Sequence, residues 1–390
     1  MPSLSRGSAP LFAVFFAAFA VSCTPAPSAI AYPAADLRPP GLLAAGPTSS
    51  SEVLLRFDEE VRPVAGSFAA DPSASLAARA EAESLFVAFA EPQSAGTDYA
   101  MVGEAEDLRG NRTRFLLRFT GWNDRAPPLL LSEVLPCKNS SKTKPHRDFI
   151  ELLALGDGNL GGEELSWAST VKAESYRFPS AEVKKGDFIV LHLAPEGIPA
   201  ERDETGAELS ASGGVDATAT GRDFWCGSMP LSDSSGAIAV ALRPGSPPTD
   251  GLFYSDDGKS GALGEGKLAD LLASLVASGA WALSGSSPAW EDGVPWSGSS
   301  AKSLCRSGSG KGLGAWYVSV SGGQTPGAGN SPPGAPSAAT MPSAAAKAMQ
   351  ATDESPSAGA SDLSAAKAEK PLKAAKPGKK KPVRRKPGTD

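Results

Sequence analysis

Hydrolysis by a protein nucleophile needs a positioned base, usually histidine, beside a serine or cysteine. This chain of 390 residues has two histidines, His146 and His192. His146 stands in the polar stretch Lys138 to Arg147, and His192 in an apolar run that reads as a strand; neither has a Gly-x-Ser-x-Gly context. Ser307-Gly-Ser-Gly-Lys311-Gly has the composition of a phosphate cradle but not the Gly-x-x-x-x-Gly-Lys-[Ser/Thr] spacing, so it reads as a hairpin loop. Glu133 and Glu151 fall on strands expected to be neighbours, which is what paired acid/base chemistry would require. The competing reading is a structural hydrogen bond to backbone or to Arg306. Asp157-Gly-Asn159 and Asp203-Glu204 offer oxygens to calcium, yet the twelve-residue spacing of an EF-hand is missing. Cys137, Cys226 and Cys305 lie too far apart in sequence for a zinc knuckle. Being odd in number, they cannot all pair, so either one disulfide with a free thiol or three buried thiols is open. The expectation is therefore a protein that is not an enzyme, with no metal and no cofactor.

Two other sets of residues could make contacts rather than catalyse. Trp281, Trp290 and Trp296 lie in a Ser/Gly/Pro-rich region, where exposed indoles form a contact face for a protein or a glycan. Alternatively they close one end of a core as a local cluster. The stretch from Lys367 to Asp390 carries ten Lys/Arg, among them Lys379, Lys380, Lys381, Arg384, Arg385 and Lys386, against Glu369 and Asp390. With a formal net charge of -6 for the whole chain, the body before this tail is strongly acidic. Basic residues gathered in a tail without aromatic neighbours predict weak, salt-sensitive contact with anionic polymers, not a folded nucleic-acid reader.

The elements that position these residues follow from composition and periodicity. A chain of this length holds two or three domains, and 42 Gly with 34 Pro favour short strands and many turns over helical bundles. At the start, Arg6 precedes an apolar run from Ala9 to Val21, too short to span a bilayer comfortably. Ala20-Val21-Ser22-Cys23 resembles the bacterial lipobox. That resemblance implies a signal peptide over 1–22, a diacylated Cys23 and membrane attachment through the N-terminal lipid, since two acyl chains anchor stably where one does not. An exported, membrane-anchored lipoprotein facing the periplasm or the cell surface is expected. A Pro/Ala-rich spacer follows over 23–40, and beyond Asn330 the Pro/Ala/Ser/Lys composition predicts a disordered tail over 331–390.

Between these ends, Val53, Leu55 and Phe57, then Leu85, Val87 and Phe89, then Phe115, Leu117 and Phe119 alternate with a period of two, the mark of half-buried strands. In Asp107-Leu-Arg-Gly-Asn111, Gly110 and Asn111 are expected to supply the positive φ of a tight turn. Glu52 to Val61, Gly96-Thr-Asp-Tyr99 and this turn together resemble the bacterial Ig-like domain of surface-layer and adhesin proteins, over about 41–127. Leu129 to Pro136, Asp148 to Leu153, Gly186 to Leu193, Leu231 to Ile238 and Gly251 to Tyr254 resemble, in order, elements of the lamin-tail domain. Ser303-Leu-Cys-Arg306, Ala315-Trp-Tyr317 and Thr325-Pro-Gly-Ala-Gly-Asn330 complete that resemblance over about 128–330. Within it Glu133 and Glu151 match positions typical of the family, which implies a structural role for them. Leu268, Leu271, Leu272, Leu275 and Val276 recur at helical spacing and predict one amphipathic helix over Lys267 to Ser278.

The expected fold is all-β: two tandem Ig-like β-sandwiches with a short helical insertion and disordered termini. The function this implies is a lipid-anchored binding or scaffolding protein of the cell envelope. A targeting or accessory subunit for a secreted nuclease or phosphatase is the alternative, with anionic-polymer attachment through the tail as a third possibility.

Overall fold

The computed structural model describes residues 37–137 and 147–334. Cys23, His146 and the basic residues Lys379 to Lys386 lie outside the described residues. Among the described residues the fold is all-β with one α-helix.

The first part of the chain runs β1 (Leu42–Ser49), β2 (Glu52–Phe57), β3 (Val61–Pro63), β4 (Ala69–Asp71), β5 (Leu76–Glu81), β6 (Ser84–Phe89), β7 (Asp98–Asp107) and β8 (Arg112–Thr120). One sheet has the order β1-β2-β6-β5, and the other places β7 between β3, β4 and β8. Their inner faces meet in a core of Val53, Leu55, Phe57, Leu85, Val87, Phe89, Met101 and Phe115, so the period-two residues point where their spacing requires. Leu117 and Phe119 are only partly buried, because β8 pairs with β7 alone. The turn into β8 is organised by Asp107, whose Oδ1 accepts the amides of Arg109 (2.8 Å) and Asn111 (2.9 Å). Gly110 has φ +89°; Asn111 does not share the left-handed conformation expected of it, since the Asp107 carboxylate already closes the turn.

The second part runs β9 (Leu129–Leu135), β10 (Phe149–Ala154), β11 (Gly158–Asn159), β12 (Glu164–Ala168), β13 (Ala173–Arg177), β14 (Glu182–Val183), β15 (Phe188–His192), β16 (Gly221–Trp225), β17 (Gly236–Ala241) and β18 (Asp250–Asp256). The helix α1 (Lys267–Ala277) and the short strands β19 (Val294–Trp296), β20 (Leu304–Arg306) and β21 (Trp316–Val318) complete it. A six-stranded sheet, β16-β15-β10-β9-β20-β21, faces a five-stranded sheet, β13-β12-β17-β18-β19, across the larger core. The β15–β16 and β18–β19 pairs are parallel, the remaining pairs antiparallel. The Ser307 to Gly312 stretch is the connection between the antiparallel strands β20 and β21, as its glycines suggest. Leu268, Leu272 and Leu275 of α1 are buried and pack onto the five-stranded sheet, with Leu271 and Val276 partly buried at the margin.

The stretch behind α1 corrects the expectation of an indole contact face. Trp281 and Trp296 are 2% and 1% exposed and belong to the larger core. The chain leaving α1 turns inward, with the amides of Ala280 (2.8 Å) and Trp281 (3.1 Å) both bonding the Leu275 carbonyl, and β19 carries Trp296 into the sandwich beside β18. Trp290 is half-buried against the same core, with the Lys259 ammonium 4.3 Å from its ring centre. The Ser/Gly/Pro content that suggested an exposed loop is satisfied internally, for Asp292 accepts the amides of Ser284 (2.8 Å) and Ala289 (2.9 Å).

Candidate functional site

The two carboxyls singled out by type, Glu133 and Glu151, stand directly opposite one another in the β9–β10 register. Both are fully buried, although they lie on the face of the six-stranded sheet turned away from the larger core. What covers them is the segment after β21. The Thr325 amide donates to Glu133 Oε2 at 3.0 Å and the Thr325 hydroxyl to the same atom at 2.9 Å. The Ser303 hydroxyl donates to Glu133 Oε1, and the Gly327 amide to Glu151 Oε2 at 2.7 Å. Asn330 then ties the strap down by donating from Nδ2 to the Ser132 carbonyl (3.0 Å) and the Arg306 carbonyl (3.2 Å).

Burial raises both acids, and Glu151 is raised well above the ordinary carboxyl range because the Glu133 charge adds to the desolvation. Two like charges across one strand pair oppose each other in a dry site, which favours the protonated form of Glu151, the more strongly raised of the two, and leaves Glu133 as the acceptor for the strap. Arg306, the partner expected for these acids, is committed elsewhere: its Nη2 lies 2.8 and 2.7 Å from the two oxygens of Asp250, a pair in which both side chains are buried. Asp250 also accepts the Leu131 amide at 2.8 Å, which fixes the ion pair between the two sheets. The three short motifs near the end of this part therefore meet at one place. Ser303 and Thr325 hold Glu133, Gly327 holds Glu151, and Arg306 closes the core beneath.

His192 is 3% exposed, with Nε2 2.8 Å from Asp223 Oδ1 and its ring stacked 4.0 Å from Trp225. Asp223 Oδ2 accepts the Thr218 amide at 3.0 Å, and Glu204 accepts the amides of Ser212 and Asp223 at 2.9 Å each. This cluster pins the long connection between β15 and β16 onto the sheet, and the strand β16, which periodicity did not reveal, is what supplies Asp223. Of the acids considered for calcium, Asp157 uses Oδ1 to accept the Lys185 amide (2.8 Å) and Asp203 its Oδ1 to accept the Trp225 amide (2.8 Å). Among the described residues no group of three His, Cys, Asp or Glu is placed to hold a metal ion. Cys137, Cys226 and Cys305 are buried free thiols. Burial pushes Cys226 and Cys305 up to about 12, for Cys305 with the Glu133 charge as a second cause, which leaves both thiols poor nucleophiles.

A groove of 360 Å³ runs beside the strap, lined by Leu130, Leu153, Phe188, Tyr317, Asn330 and Pro332 among others. A larger cleft of 720 Å³ opens at the edge of the sandwich next to Arg222. Sequence reasoning passed over Arg222 because an arginine within Gly-Arg-Asp-Phe-Trp has no periodic signature; only the β15–β16 pairing buries it.

The comparisons with known proteins coincide with this architecture. The family model described as TP_1001_2nd, protein second domain, matches residues 127–331, from just before β9 to just past Asn330. An uncharacterized protein of Treponema pallidum (strain Nichols) is 35% identical over 181 residues, which is 45% of this chain and 44% of that relative, so the chain spans less than half of that relative's length. The matched region covers more than half of the chain and contains the whole strap-locked sandwich: the chain belongs to the TP_1001_2nd, protein second domain, family.

Proposed function

We propose that this chain is an exported binding or scaffolding protein of the cell envelope, held to the membrane by a lipid on Cys23, with no catalytic activity of its own. In this reading the larger sandwich is a lamin-tail-type domain and the smaller one a bacterial Ig-like domain. The observation that carries the proposal is the fate of the side chains that could do acid/base or nucleophilic work. Glu133, Glu151 and His192 are buried and spent on holding the strap and the β15–β16 connection in place, so none of these three is presented to a substrate. The lipobox resemblance at Ala20 to Cys23 supports the anchor, and the two sandwiches are the folded part that it holds.

Membrane fractionation of cells expressing the full chain and its Cys23→Ala variant should find the first with membranes and the second released. The purified chain should leave nucleic acid, phosphate esters, peptides and glycans intact. Turnover of any of these, abolished by Glu133→Gln, Glu151→Gln or His192→Asn in variants that remain folded, would replace this reading with an enzymatic one.

A further inference from the structure

Arg222 is 5% exposed, yet its guanidinium has only carbonyl partners. Nη1 donates to the Glu204 carbonyl and, at 2.6 Å, to the Gly206 carbonyl, while Nε is buried with no partner at all. The acids nearest in sequence are committed: Glu204 to two backbone amides, and Asp223 to His192 and the Thr218 amide. A buried cation is ordinarily paired with an anion, because desolvation without a counter-charge is expensive. Here the unpaired cation lines the 720 Å³ cleft at the sandwich edge, within the range of volumes that hold small ligands. An anion entering that cleft would supply what Arg222 lacks.

The remaining lining narrows the class. Lys184 adds a second cation, whereas Asp157 and Asp187 face the same space, each with one oxygen on a backbone amide. Arg125 and Glu182 neutralise one another through two contacts of 3.0 and 2.7 Å. A polyanion would meet as many carboxylates as cations and is disfavoured. A ligand with one anionic group and one cationic group satisfies both, and Val183 and Leu209 offer an apolar wall between them. We propose that this cleft binds a small zwitterion of amino-acid or dipeptide size, with its carboxylate on Arg222, its ammonium toward Asp157 and Asp187, and an aliphatic side chain against Val183 and Leu209. The inference deepens the binding reading above and rests on it.

Isothermal titration and thermal shift of the whole purified chain with glycyl-leucine test it, with three further probes: glycyl-leucine amide, N-acetyl-glycyl-leucine and inorganic phosphate. Glycyl-leucine should bind saturably and raise Tm; blocking its carboxylate should abolish binding and blocking its amine weaken it by about tenfold. Arg222→Lys keeps the charge but loses the guanidinium fork, and Leu209→Glu places a competing carboxylate at the half-buried wall. Each should weaken glycyl-leucine binding by about tenfold or more. Should Arg222→Lys fail to fold, Leu209→Glu carries the test. Three results would overturn the proposal: no saturable binding at about 10 mM glycyl-leucine, phosphate binding as tightly as the dipeptide, or undiminished binding in Leu209→Glu. Cleavage of glycyl-leucine during titration would instead sink the non-catalytic reading while leaving the site in place, so the two failures are distinguishable.

Discussion

Glu133 and Glu151 are the same residue type, face each other across one strand pair and are equally buried, yet their surroundings raise them unequally. Glu133 accepts from Ser303 and from two donors of Thr325, whereas Glu151 receives the Gly327 amide and is raised further by the Glu133 charge, which favours its protonated form. Chemical denaturation should separate them. Glu151→Gln replaces a neutral acid by a neutral amide and should change stability by less than about 1 kcal/mol. Glu133→Gln points an amide donor at donors already aimed there and should cost about 2–3 kcal/mol. Equal losses would show that the proton does not reside on Glu151. Glu163 is a different case. It is 1% exposed, neither oxygen has a partner, and burial raises it to about 9. An acid whose folded pKa lies above its unfolded value near 4.5 binds more protons folded than unfolded across that interval, so stability is fully present below about 4.5, declines as pH rises, and levels off above about 9. Glu163→Leu should therefore gain little at pH 5 and about 3 kcal/mol at pH 7 to 8 relative to the parent chain. A gain independent of pH would mean that the side chain is ionised in the folded state.

Strands and the strap obey different rules of legibility. Alternation placed β2, β6 and β8, because a two-sided sheet forces apolar residues to every second position, whereas β10 and β15 were expected only from the resemblance of their short motifs. The strap from Gln324 to Asn330 has no periodicity, since it pairs with no strand and is held by side chains lying far back in the sequence. Its elements were visible only as short motifs, and the structure gives their reason: Thr325 and Gly327 must meet two carboxyls in register. Gly327 has φ +76°, and a Cβ there would sit 2.1 Å from Thr218 Oγ1 and 2.9 Å from the Gly221 amide nitrogen. Gly327→Ala should lower stability by about 2 kcal/mol or more, and hydrogen exchange at Thr325 and Gly327 should accelerate beyond that of the β9 and β10 amides. Unchanged exchange there would show that the strap does not depend on this close approach.

Across the whole described body, the two sandwiches are joined by polar contacts of short reach. Asn123 Nδ2 donates to the Asn159 carbonyl (2.6 Å) and the Gly161 carbonyl (2.9 Å), while its Oδ1 accepts the Arg125 amide. Arg177 of β13 reaches back to Asp98 at 2.7 Å and to Thr120, and the Arg243 guanidinium lies 3.9 Å over the Trp122 ring. Gly96 approaches Gly161 and Gly162 so closely that any side chain would strike their backbone. These bonds couple the sandwiches, and calorimetry should show one transition for the parent chain, with Asn123→Ala separating it into two. Two transitions in the parent would show that the sandwiches unfold independently.

Fold class was readable from composition and period: glycine and proline load, alternating apolar residues and a single helical stripe over Lys267 to Ser278 lead to an all-β chain with one helix. These are local properties, set by each segment's own geometry. Burial of Trp281 and Trp296, the commitment of Arg306 to Asp250 instead of Glu133, and the His192–Asp223 contact were decided only when distant segments packed. A Ser/Gly/Pro-rich stretch is locally compatible with either an exposed loop or a core lid, and α1 selects the second by drawing the chain inward. Arg222 shows the same limit from the other side, for its charge was plain in the sequence, but its lack of a counter-ion is a property of the cleft that β16 and the β15–β16 connection enclose.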